Sequence, residues 1–351
     1  MPSQSDVARK ARVSFMTVSR VVNNRGNVKE ATRQKVLEAI EELNYYPNAA
    51  ARALNMDRSF GVGISVPQSD FIFAAPFYPA LILELERSFR KKGFHLVFDS
   101  LERGDETDYR AMFHQRKVDG VVIISPRKGE PQLESLVREN IPAVVLYGNP
   151  ERNSIPYIDV DSTGGIKLLM GELKRLKHSR VGFIKGEEGL PMAGERLQAY
   201  LTARNEFGMD EDKDLVFQGD WSAKSGAEGF RSLFNLSEPP TAVLCANDLM
   251  ALGFMQAAFK NGMKIPEDVS VGGFNGADFS PYLTPPLTTL GQPIYSVAHA
   301  AAEVLVPRMM GDIVEIDKNS EKRTLSQAKL LAPKPYWRES FATPRDKSII
   351  L

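Results

Sequence analysis

The sequence contains few residues that cross-link a fold or bind a metal. Its single cysteine, Cys245, excludes an intramolecular disulfide and fits a reducing compartment. The four histidines lie far apart in the chain, without the spacing of metal ligands. We therefore expect neither a metal centre nor a cofactor in this protein.

Long apolar runs are missing as well. No stretch of about eighteen apolar residues occurs, so no membrane span is expected. The first segment, MPSQSDVARKARVS, contains no apolar stretch of signal-peptide length. The sequence therefore predicts a cytoplasmic protein and argues against a secreted binding protein.

The motifs of α/β enzymes are absent too. Gly61-Val62-Gly63 lacks the third glycine of the dinucleotide fingerprint, and no G-x-x-x-x-G-K phosphate loop occurs. Neither a G-x-S-x-G nucleophile elbow nor a paired catalytic histidine is visible. These absences indicate a protein that is not an enzyme.

Charge is balanced over the whole chain but not along it. The chain has 44 Lys/Arg and 44 Asp/Glu, whereas residues 1–58 have ten Lys/Arg and six Asp/Glu. The head thus carries +4 and the remaining 293 residues carry −4. This asymmetry favours a polyanion contact at one end, although a solvated helical surface would have the same charge.

The basic head has the periodicity of helices. Residues 5–12 and 30–44 predict helices, and Ser14 is a good N-cap for another helix that starts at Phe15. Pro47 ends the last of them. The side chains predicted to point inward are Val7, Ala8, Ala11, Val18, Val21, Val22, Val36, Leu37, Ile40 and Leu43.

Two short helices, a tight turn and a further helix predict a helix-turn-helix domain over residues 1–47. The second helix has the composition of one that enters the major groove. Arg20 can pair bidentately with guanine, and Asn23 can bond to phosphate or base. A three-helix bundle that does not touch DNA has the same pattern, but the basic charge favours DNA.

Residues 6–54 closely resemble the DNA-binding head of the lactose-repressor/galactose-repressor family of bacterial regulators. The matching segments are Asp6-Val7-Ala8, Val13-Ser14, Thr17-Val18-Ser19-Arg20-Val21, Asn23, Thr32-Arg33, Leu43-Asn44-Tyr45 and Pro47-Asn48. The resemblance implies that Phe15, Met16 and Arg20 read bases, and that Thr17 and Asn23 also contact DNA.

Three positions of the head depart from the family pattern. Arg12 replaces the usual glycine of the turn, where a positive φ is expected and a side chain has a cost. Lys29 replaces the usual serine cap of the third helix. Met16 is apolar where members often carry a polar base reader, so we expect it to contact a thymine methyl.

Residues 48–58 are expected to form a hinge helix and linker. The helix candidate, 48–55, is capped by Asn48 and is shorter than the roughly 12–15 residues that an isolated helix needs. In the resembling family two such helices pack in the minor groove. The resemblance implies DNA contacts by Asn48, Ala51 and Leu54, with Leu54 as a wedge that kinks the duplex. The alternative is a flexible tether.

From residue 60, short apolar runs alternate with helical patterns, which predicts parallel sheets covered by helices on both faces. A break near Asp159-Val160-Asp161 divides the series into two doubly wound lobes of similar size. The predicted strands are 61–67, 94–99, 119–124, 143–147, 180–185, 214–217, 241–245 and 268–273. The predicted helices are 79–92, 106–116, 131–139, 163–176, 193–207, 223–235, 247–261 and 294–310.

The body resembles the same family, and through it the periplasmic-binding-protein fold. The matching runs are Pro76-Phe77, 158–165, Arg196 with Tyr200, Gly219-Asp220-Trp221, Ala246-Asn247-Asp248, 266–271 and 285–289. The fold class implied is α plus α/β, with an effector-binding and dimerisation domain over 59–340 and a tail over 341–351. The N-lobe would hold about 59–160 and 291–318, and the C-lobe about 161–288 and 320–338.

Ligands bind such sheets at the carboxyl ends of the strands, so a cleft between the lobes is the expected effector site. Arg196 can grip a ligand with its planar fork, and Trp221 can stack on a sugar face. By resemblance the effector contacts are Phe77, Arg103, Tyr147, Arg196, Trp221, Asn247, Asn275 and Gln292. Alternatively, Trp221 is a core residue, Arg196 an ion-pair partner and Asn247 only a helix cap.

The departures in the body concern the identity of the ligand. Asn275 stands where many sugar-responsive members have aspartate, and Tyr147 stands where some have a carboxylate. Residues 68–76 are longer than usual and add Phe71 and Phe73 at the cleft edge. We expect a repressor that is controlled by a sugar or glycoside. A regulator that is activated by a non-sugar metabolite is the alternative.

The expected partners are operator DNA, a small effector and a second copy of the chain. One short recognition helix buries too little for tight specific binding, and a paired hinge needs two chains. We therefore expect a homodimer on a pseudo-palindromic operator with a pyrimidine–purine step at its centre, because such steps kink most easily.

Overall fold

The computed structural model describes residues 2–22, 26–46, 56–66, 76–98, 109–127, 130–150, 155–311 and 328–345. These residues form two compact units, a head over Met1–Ser59 and a body over Phe60–Leu351.

The head contains the expected helices α1 (Gln4–Ala11), α2 (Phe15–Val22) and α3 (Glu30–Glu42). Its core is formed by Val7, Ala8, Ala11, Val18, Val21, Val36 and Ala39. The prediction that Leu37 points inward is wrong, because this side chain is 45% exposed. A helix turns by about 100° per residue, so Val36, Ala39 and Ile40 share the inner face and Leu37 lies beside it.

Capping fixes the starts of the first two helices. Ser3 and Asp6 form a reciprocal capping box at α1. The hydroxyl of Ser14 accepts the Thr17 N–H at 3.1 Å, so the predicted cap of α2 is confirmed. Lys29 precedes α3 without a side-chain cap, as its departure from serine implied.

Arg12 ends α1 in the left-handed region, with φ 52° and ψ 46°. The Val13 N–H donates back to the Ala8 carbonyl at 3.0 Å, which closes the last turn of the helix. The positive φ expected at this position is therefore confirmed. A left-handed conformation costs a non-glycine residue roughly 1–2 kcal/mol.

Substitution of Arg12 by glycine is expected to stabilise the head by about 0.5–1 kcal/mol. Glycine removes the strain energy of the left-handed backbone at this position. This gain exceeds the free-energy cost of the greater conformational entropy that glycine gives the unfolded chain, which is about 0.4–1 kcal/mol. Hydrogen exchange of α1 and α2 peptides in the full-length protein measures the effect. Arg9→Gly is the control, since glycine inside a helix should destabilise it by about 1 kcal/mol. Lower protection in Arg12→Gly would contradict the prediction.

The body contains two six-stranded sheets, in the orders β11-β5-β4-β3-β1-β2 and β12-β10-β9-β8-β6-β7. Its strands are β1 (Gly61–Ser65), β2 (His95–Val97), β3 (Gly120–Ile124), β4 (Ala143–Leu146), β5 (Tyr157–Val160), β6 (Val181–Lys185), β7 (Val216–Gln218), β8 (Ala242–Cys245), β9 (Ser270–Asn275), β10 (Thr288–Gly291), β11 (Ala328–Leu331) and β12 (Lys334–Tyr336).

Helices cover both sheets, as the alternating pattern predicted. They are α4 (Phe77–Lys91), α5 (Tyr109–His114), α6 (Pro131–Arg138), α7 (Ser162–Arg175), α8 (Pro191–Glu206), α9 (Ala223–Phe234), α10 (Asp248–Lys260) and α11 (Ile294–Met310). The doubly wound fold of both lobes is confirmed.

The strands β5, β10, β11 and β12 were not predicted. Each has only three or four residues, and polar residues or proline interrupt their apolar character, as in YIDV, TTLG and KPY. All strand pairs are parallel except that β12 runs antiparallel to β10. An antiparallel edge strand is common on such sheets.

The chain returns to the second lobe later than predicted. The helix α11 packs on α4 of the first lobe, as expected. The strand β11 then pairs in parallel with β5 of the first sheet, with Leu330 opposite Asp159. The assignment of 320–338 to the C-lobe is therefore wrong for β11, which covers the edge of the first sheet; the second lobe resumes with β12. Among the described residues, no helix is long and apolar enough to cross a membrane.

Candidate functional site

The helix α2 presents an exposed face that is suited to reading DNA. Phe15 is 50% exposed and Met16 is 59% exposed, although both are large apolar residues. Arg20 is exposed on the same helix, while Val18 and Val21 are buried against α1 and α3. Apolar and cationic side chains that the head leaves in solvent are available to a thymine methyl and to guanine.

Thr17 lies at the start of this helix, where its hydroxyl hydrogen bonds to that of Ser14 at 2.9 Å. This bond fixes the entry of α2 and leaves Thr17 half-buried. Asn23 and the hinge positions Asn48, Ala51 and Leu54 lie outside the described residues. Their DNA contacts stay predictions.

In the body, an aromatic cluster forms where α4 begins beside the end of β4. The rings of Phe77 and Tyr147 meet edge to face with centroids 5.0 Å apart. Tyr147 is 2% exposed, and its hydroxyl has no hydrogen-bond partner among the described residues. Tyr78 extends the cluster, with its ring 5.1 Å from that of Phe77. Two residues predicted as pocket walls are thus brought together.

Arg196 lies on the inner face of α8 in the second lobe and is 2% exposed. Its Nη1 donates to the Ala246 carbonyl at 2.6 Å, and its guanidinium lies 3.6 Å from the centroid of the Phe274 ring. Burial lowers the pKa of this guanidinium to about 10. Its Nε has no acceptor in the part of the chain that the structure describes, which leaves a fixed donor inside the body.

A hydrogen bond joins the side chain of Asn247 to the backbone of Trp221. The Asn247 Nδ2 donates to the Trp221 carbonyl at 2.9 Å, and its Oδ1 accepts the Met250 N–H at 2.8 Å as the cap of α10. The Trp221 ring packs against Gly186, where a Cβ would lie only 2.0 Å from the ring. Asn247 thus positions Trp221; a direct effector contact by Asn247 stays a prediction.

Asn275 and Gln292 form an amide pair at the ends of β9 and β10. The Gln292 Nε2 donates to the Asn275 Oδ1 at 2.6 Å. The described residues provide no partner for the buried Oε1 of Gln292 or for the indole N–H of Trp221. Together with Tyr147 and Arg196, these residues contribute polar atoms that the protein itself does not satisfy, which is unusual for buried groups.

Several of these residues have a strained backbone. Tyr147 has φ 57°, Trp221 has φ 72° and Asn275 has φ 118°. Each lies at or just beyond the carboxyl end of a strand, where a doubly wound sheet binds ligands. Side chains in the left-handed region cost of order 1–3 kcal/mol, and such strain clusters at functional sites.

A cavity of about 830 Å³ opens beside this cluster, between the loops that follow β3, β4 and β6. It does not reach Arg196 or Trp221, but Glu195 and Gly186 line it and adjoin those two residues. An ion pair between Arg127 and Glu187, 2.9 Å long, joins the loop after β3 to the loop after β6. Arg103, predicted to contact the effector, lies outside the described residues.

Asp159 and Tyr78 are site residues that the sequence patterns did not single out. Asp159 is 6% exposed at the end of β5. It lies in β5, a short strand that the sequence pattern did not predict, so the sequence alone carried no signal of its burial. Among the described residues, no group of three metal-ligating side chains occurs.

The buried side chain of Asp248 is hydrogen bonded to the loop that follows Asn275. Its carboxylate, 1% exposed, accepts a hydrogen bond from the Thr289 hydroxyl and another from the Ala277 N–H at 2.6 Å. Burial raises its pKa from 3.8 to about 7 even though these bonds lower it. The folded protein therefore binds the proton of Asp248 more tightly than the unfolded chain does.

The body is consequently expected to lose stability as the pH rises from about 4 to about 7. A carboxyl group whose pKa is raised in the folded protein contributes stability at pH values below its pKa in the unfolded chain. This contribution is lost as the pH rises from the unfolded pKa to the folded pKa, and the loss is about 4 kcal/mol for a difference of three pKa units. Asp248→Asn should flatten this slope in urea unfolding at pH 5 and pH 8. Asp278→Asn, an exposed control of equal charge change, should not. An unchanged slope in Asp248→Asn would refute the assignment.

Comparison with known proteins adds to this geometry. Residues 4–48 match the model for bacterial regulatory proteins of the lacI family, and residues 170–341 match a periplasmic binding protein-like domain. The chain is 32% identical over 327 residues to the HTH-type transcriptional repressor PurR of Aliivibrio salmonicida, covering 92% of this chain and 95% of that protein.

Two solved structures share the whole architecture. The lac repressor dimer bound to operator and the anti-inducer ONPF has a TM-score of 0.79 and 27% identity, covering 97% of this chain and 99% of that one. The transcriptional regulator CelR in complex with cellobiose has a TM-score of 0.71 and 30% identity, covering 97% and 100%. This chain therefore belongs to the lacI family, and it is a DNA-binding transcriptional repressor and not an enzyme.

Proposed function

We propose that this repressor is controlled by a sugar or glycoside that binds between the two lobes of the body. The observation that carries the proposal is the group of buried polar atoms without partners on Tyr147, Arg196, Trp221 and Gln292. Two of these atoms belong to aromatic side chains, and the Arg196 guanidinium lies over the Phe274 ring, so the site combines apolar faces with fixed donors and acceptors. A sugar ring offers the complement, an apolar C–H face rimmed by hydroxyls.

The relatives support this chemistry. The CelR structure contains cellobiose, and the lac repressor structure contains the anti-inducer ONPF. Both align with nearly the whole of this chain, so an effector between the lobes is the simplest use of the same architecture. Arg103, Phe77 and Asn247 complete the proposed contacts.

A second candidate is a planar heterocyclic metabolite. The amide pair of Asn275 and Gln292 favours it, because side-chain amides can both donate to and accept from a heterocycle edge. Asn275 also carries no charge with which to hold two hydroxyls strongly. In this case effector binding would activate DNA binding instead of releasing it.

We further propose that the protein acts as a homodimer on a pseudo-palindromic operator. Leu83 on α4 is 50% exposed, and Tyr295 at the start of α11 is 60% exposed. Both side chains line one surface groove, which residues of α4 and of the start of α11 form. Exposed apolar side chains of this size are typical of protein interfaces. The relative of known structure with bound operator is a dimer.

A thermal-shift screen of the full-length protein tests the effector class. The panel contains cellobiose, lactose, maltose and ribose, together with hypoxanthine, guanine and adenosine. A ligand at one hundred times its Kd should stabilise the fold by about 2.7 kcal/mol. A shift with a saccharide supports the proposal. A shift only with heterocycles supports the second candidate, and a saccharide that leaves operator affinity unchanged refutes effector control.

A further inference from the structure

Asp159 is a buried carboxylate whose hydrogen bonding is incomplete. Among the described residues, its only hydrogen bond comes from the backbone N–H of Val160 to Oδ1, at 2.7 Å. Within the part of the chain that the structure describes, no hydrogen bond to the second oxygen, Oδ2, is formed. Because a buried carboxylate has several acceptor positions and a high cost of desolvation, an ionised Asp159 needs further donors.

The position of Asp159 in the first lobe directs it to the cleft. It lies at the carboxyl end of β5, and the adjacent residue Ile158 accepts the N–H of Tyr147 at 3.0 Å. Asp159 and Tyr147 therefore lie at the same edge of the first sheet, the edge at which ligands bind. Tyr147 is the pocket residue with the unpartnered hydroxyl.

Across the cleft, the start of α8 presents charges to Asp159. Burial and the neighbouring Glu195 raise the pKa of Asp159 to about 7, whereas Arg196 lowers it. Asp159 and Arg196 influence each other but form no ion pair within 4.0 Å, since Arg196 donates to Ala246 instead. A buried carboxyl group on the first lobe and a buried guanidinium on the second thus influence each other without forming an ion pair.

We propose that Asp159 is an effector-binding residue, which accepts hydrogen bonds from hydroxyls of the ligand while Arg196 donates to another ligand oxygen from the opposite lobe. This inference rests on the proposed function and narrows its ligand class. The effector is a neutral polyol with donors and acceptors on neighbouring carbons. Uronates and sugar phosphates should bind more weakly than neutral sugars, because Asp159 and Glu195 repel an added negative charge.

The experiment compares saccharide binding by full-length wild type, Asp159→Asn and Asp161→Asn in isothermal titration. The probes are cellobiose, lactose, maltose, glucose and ribose. Asp161 is the matched control, because its side chain caps α7 by accepting the Gly164 N–H at 2.8 Å and asparagine caps equally well. Asp159→Asn should weaken binding roughly ten- to hundredfold, the effect of a charge-assisted hydrogen bond, and Asp161→Asn should bind as wild type does.

A measurement on wild type alone serves as the second arm, should Asp159→Asn fail to fold. Glucuronate should bind at least about tenfold more weakly than glucose, and ribose 5-phosphate at least about tenfold more weakly than ribose. If wild type binds only a disaccharide, neither anionic sugar should show detectable binding. Unchanged affinity in folded Asp159→Asn, or equal binding of the anionic sugars, overturns the role of Asp159 and leaves the proposed function standing. If no neutral saccharide binds wild type, the sugar proposal and this inference both fail.

Discussion

Arg196→Ala is expected to abolish the response to effector while operator affinity without effector stays at the wild-type level. Arg196 is the buried cation of the cleft, held by the Ala246 carbonyl and by the face of Phe274. Its Nε is a charged donor for which the described residues offer no acceptor. Removal of this donor leaves a ligand oxygen unpaired in a dry site, which costs roughly 1.5–3 kcal/mol of binding or more.

The DNA-reading residues belong to the head, so the substitution in the body removes ligand binding and not DNA contact. Operator titration with and without the effector identified in the screen measures both quantities. The effector-dependent change in operator affinity should disappear at ligand concentrations that saturate wild type. Because coupling is reciprocal, operator should also no longer change the effector affinity of the variant.

Arg204→Ala is the matched control for this experiment. Arg204 lies on the same helix α8, is also buried and donates to the Asp212 carbonyl at 3.0 Å. It stacks on Tyr200, whose hydroxyl donates to the Val181 carbonyl outside the cleft. Both variants lose a buried guanidinium, so both should lose stability, but only Arg196→Ala should lose the response. An equal loss in the two variants would mean that general destabilisation is the cause.

The parts of the fold that follow from the sequence are those with strong periodicity. Every predicted helix of the body is present, and several have a clear apolar stripe on one face, as α4 and α9 do. The short strands β5 and β12 escaped prediction because a carboxylate and a proline interrupt them. Their positions depend on pairing with β4 and β10, and the second of these partners lies far from β12 in the sequence.

The candidate site could be proposed from the sequence where one residue carries its own chemistry, as Arg196 and Trp221 do. It was not predictable where function depends on tertiary surroundings. Asp159 belongs to the run IDVD, which carries no sign that one carboxylate is buried and the next, Asp161, caps a helix. The role of Asn247 was likewise ambiguous in sequence, since a strand-end amide can face a ligand or cap a helix, and here it caps.

The second large effect is expected in DNA reading, where Arg20→Ala should lose most operator specificity. Arg20 is exposed on α2 beside Met16, and the helix itself is fixed by the Ser14 cap and the burial of Val18 and Val21. A bidentate arginine–guanine contact is worth about 1–3 kcal/mol. Two half-sites double this in a dimer, so operator affinity should fall by roughly thirtyfold to several thousandfold or more.

Selection of bound sequences from a randomised DNA pool by full-length wild type, Arg20→Ala and Arg9→Ala tests this prediction. Arg9 is the control because it carries the same charge on α1, where it lies 3.4 Å from Asp6 and its side chain is 80% exposed. Both variants lose one cation per chain, so both should bind non-specific DNA slightly more weakly, with a similar change in salt dependence. Only Arg20→Ala should lose the preference at one symmetric base pair of each half-site. If Arg20→Ala selects the wild-type sequence, α2 reads bases through Phe15 and Met16 alone.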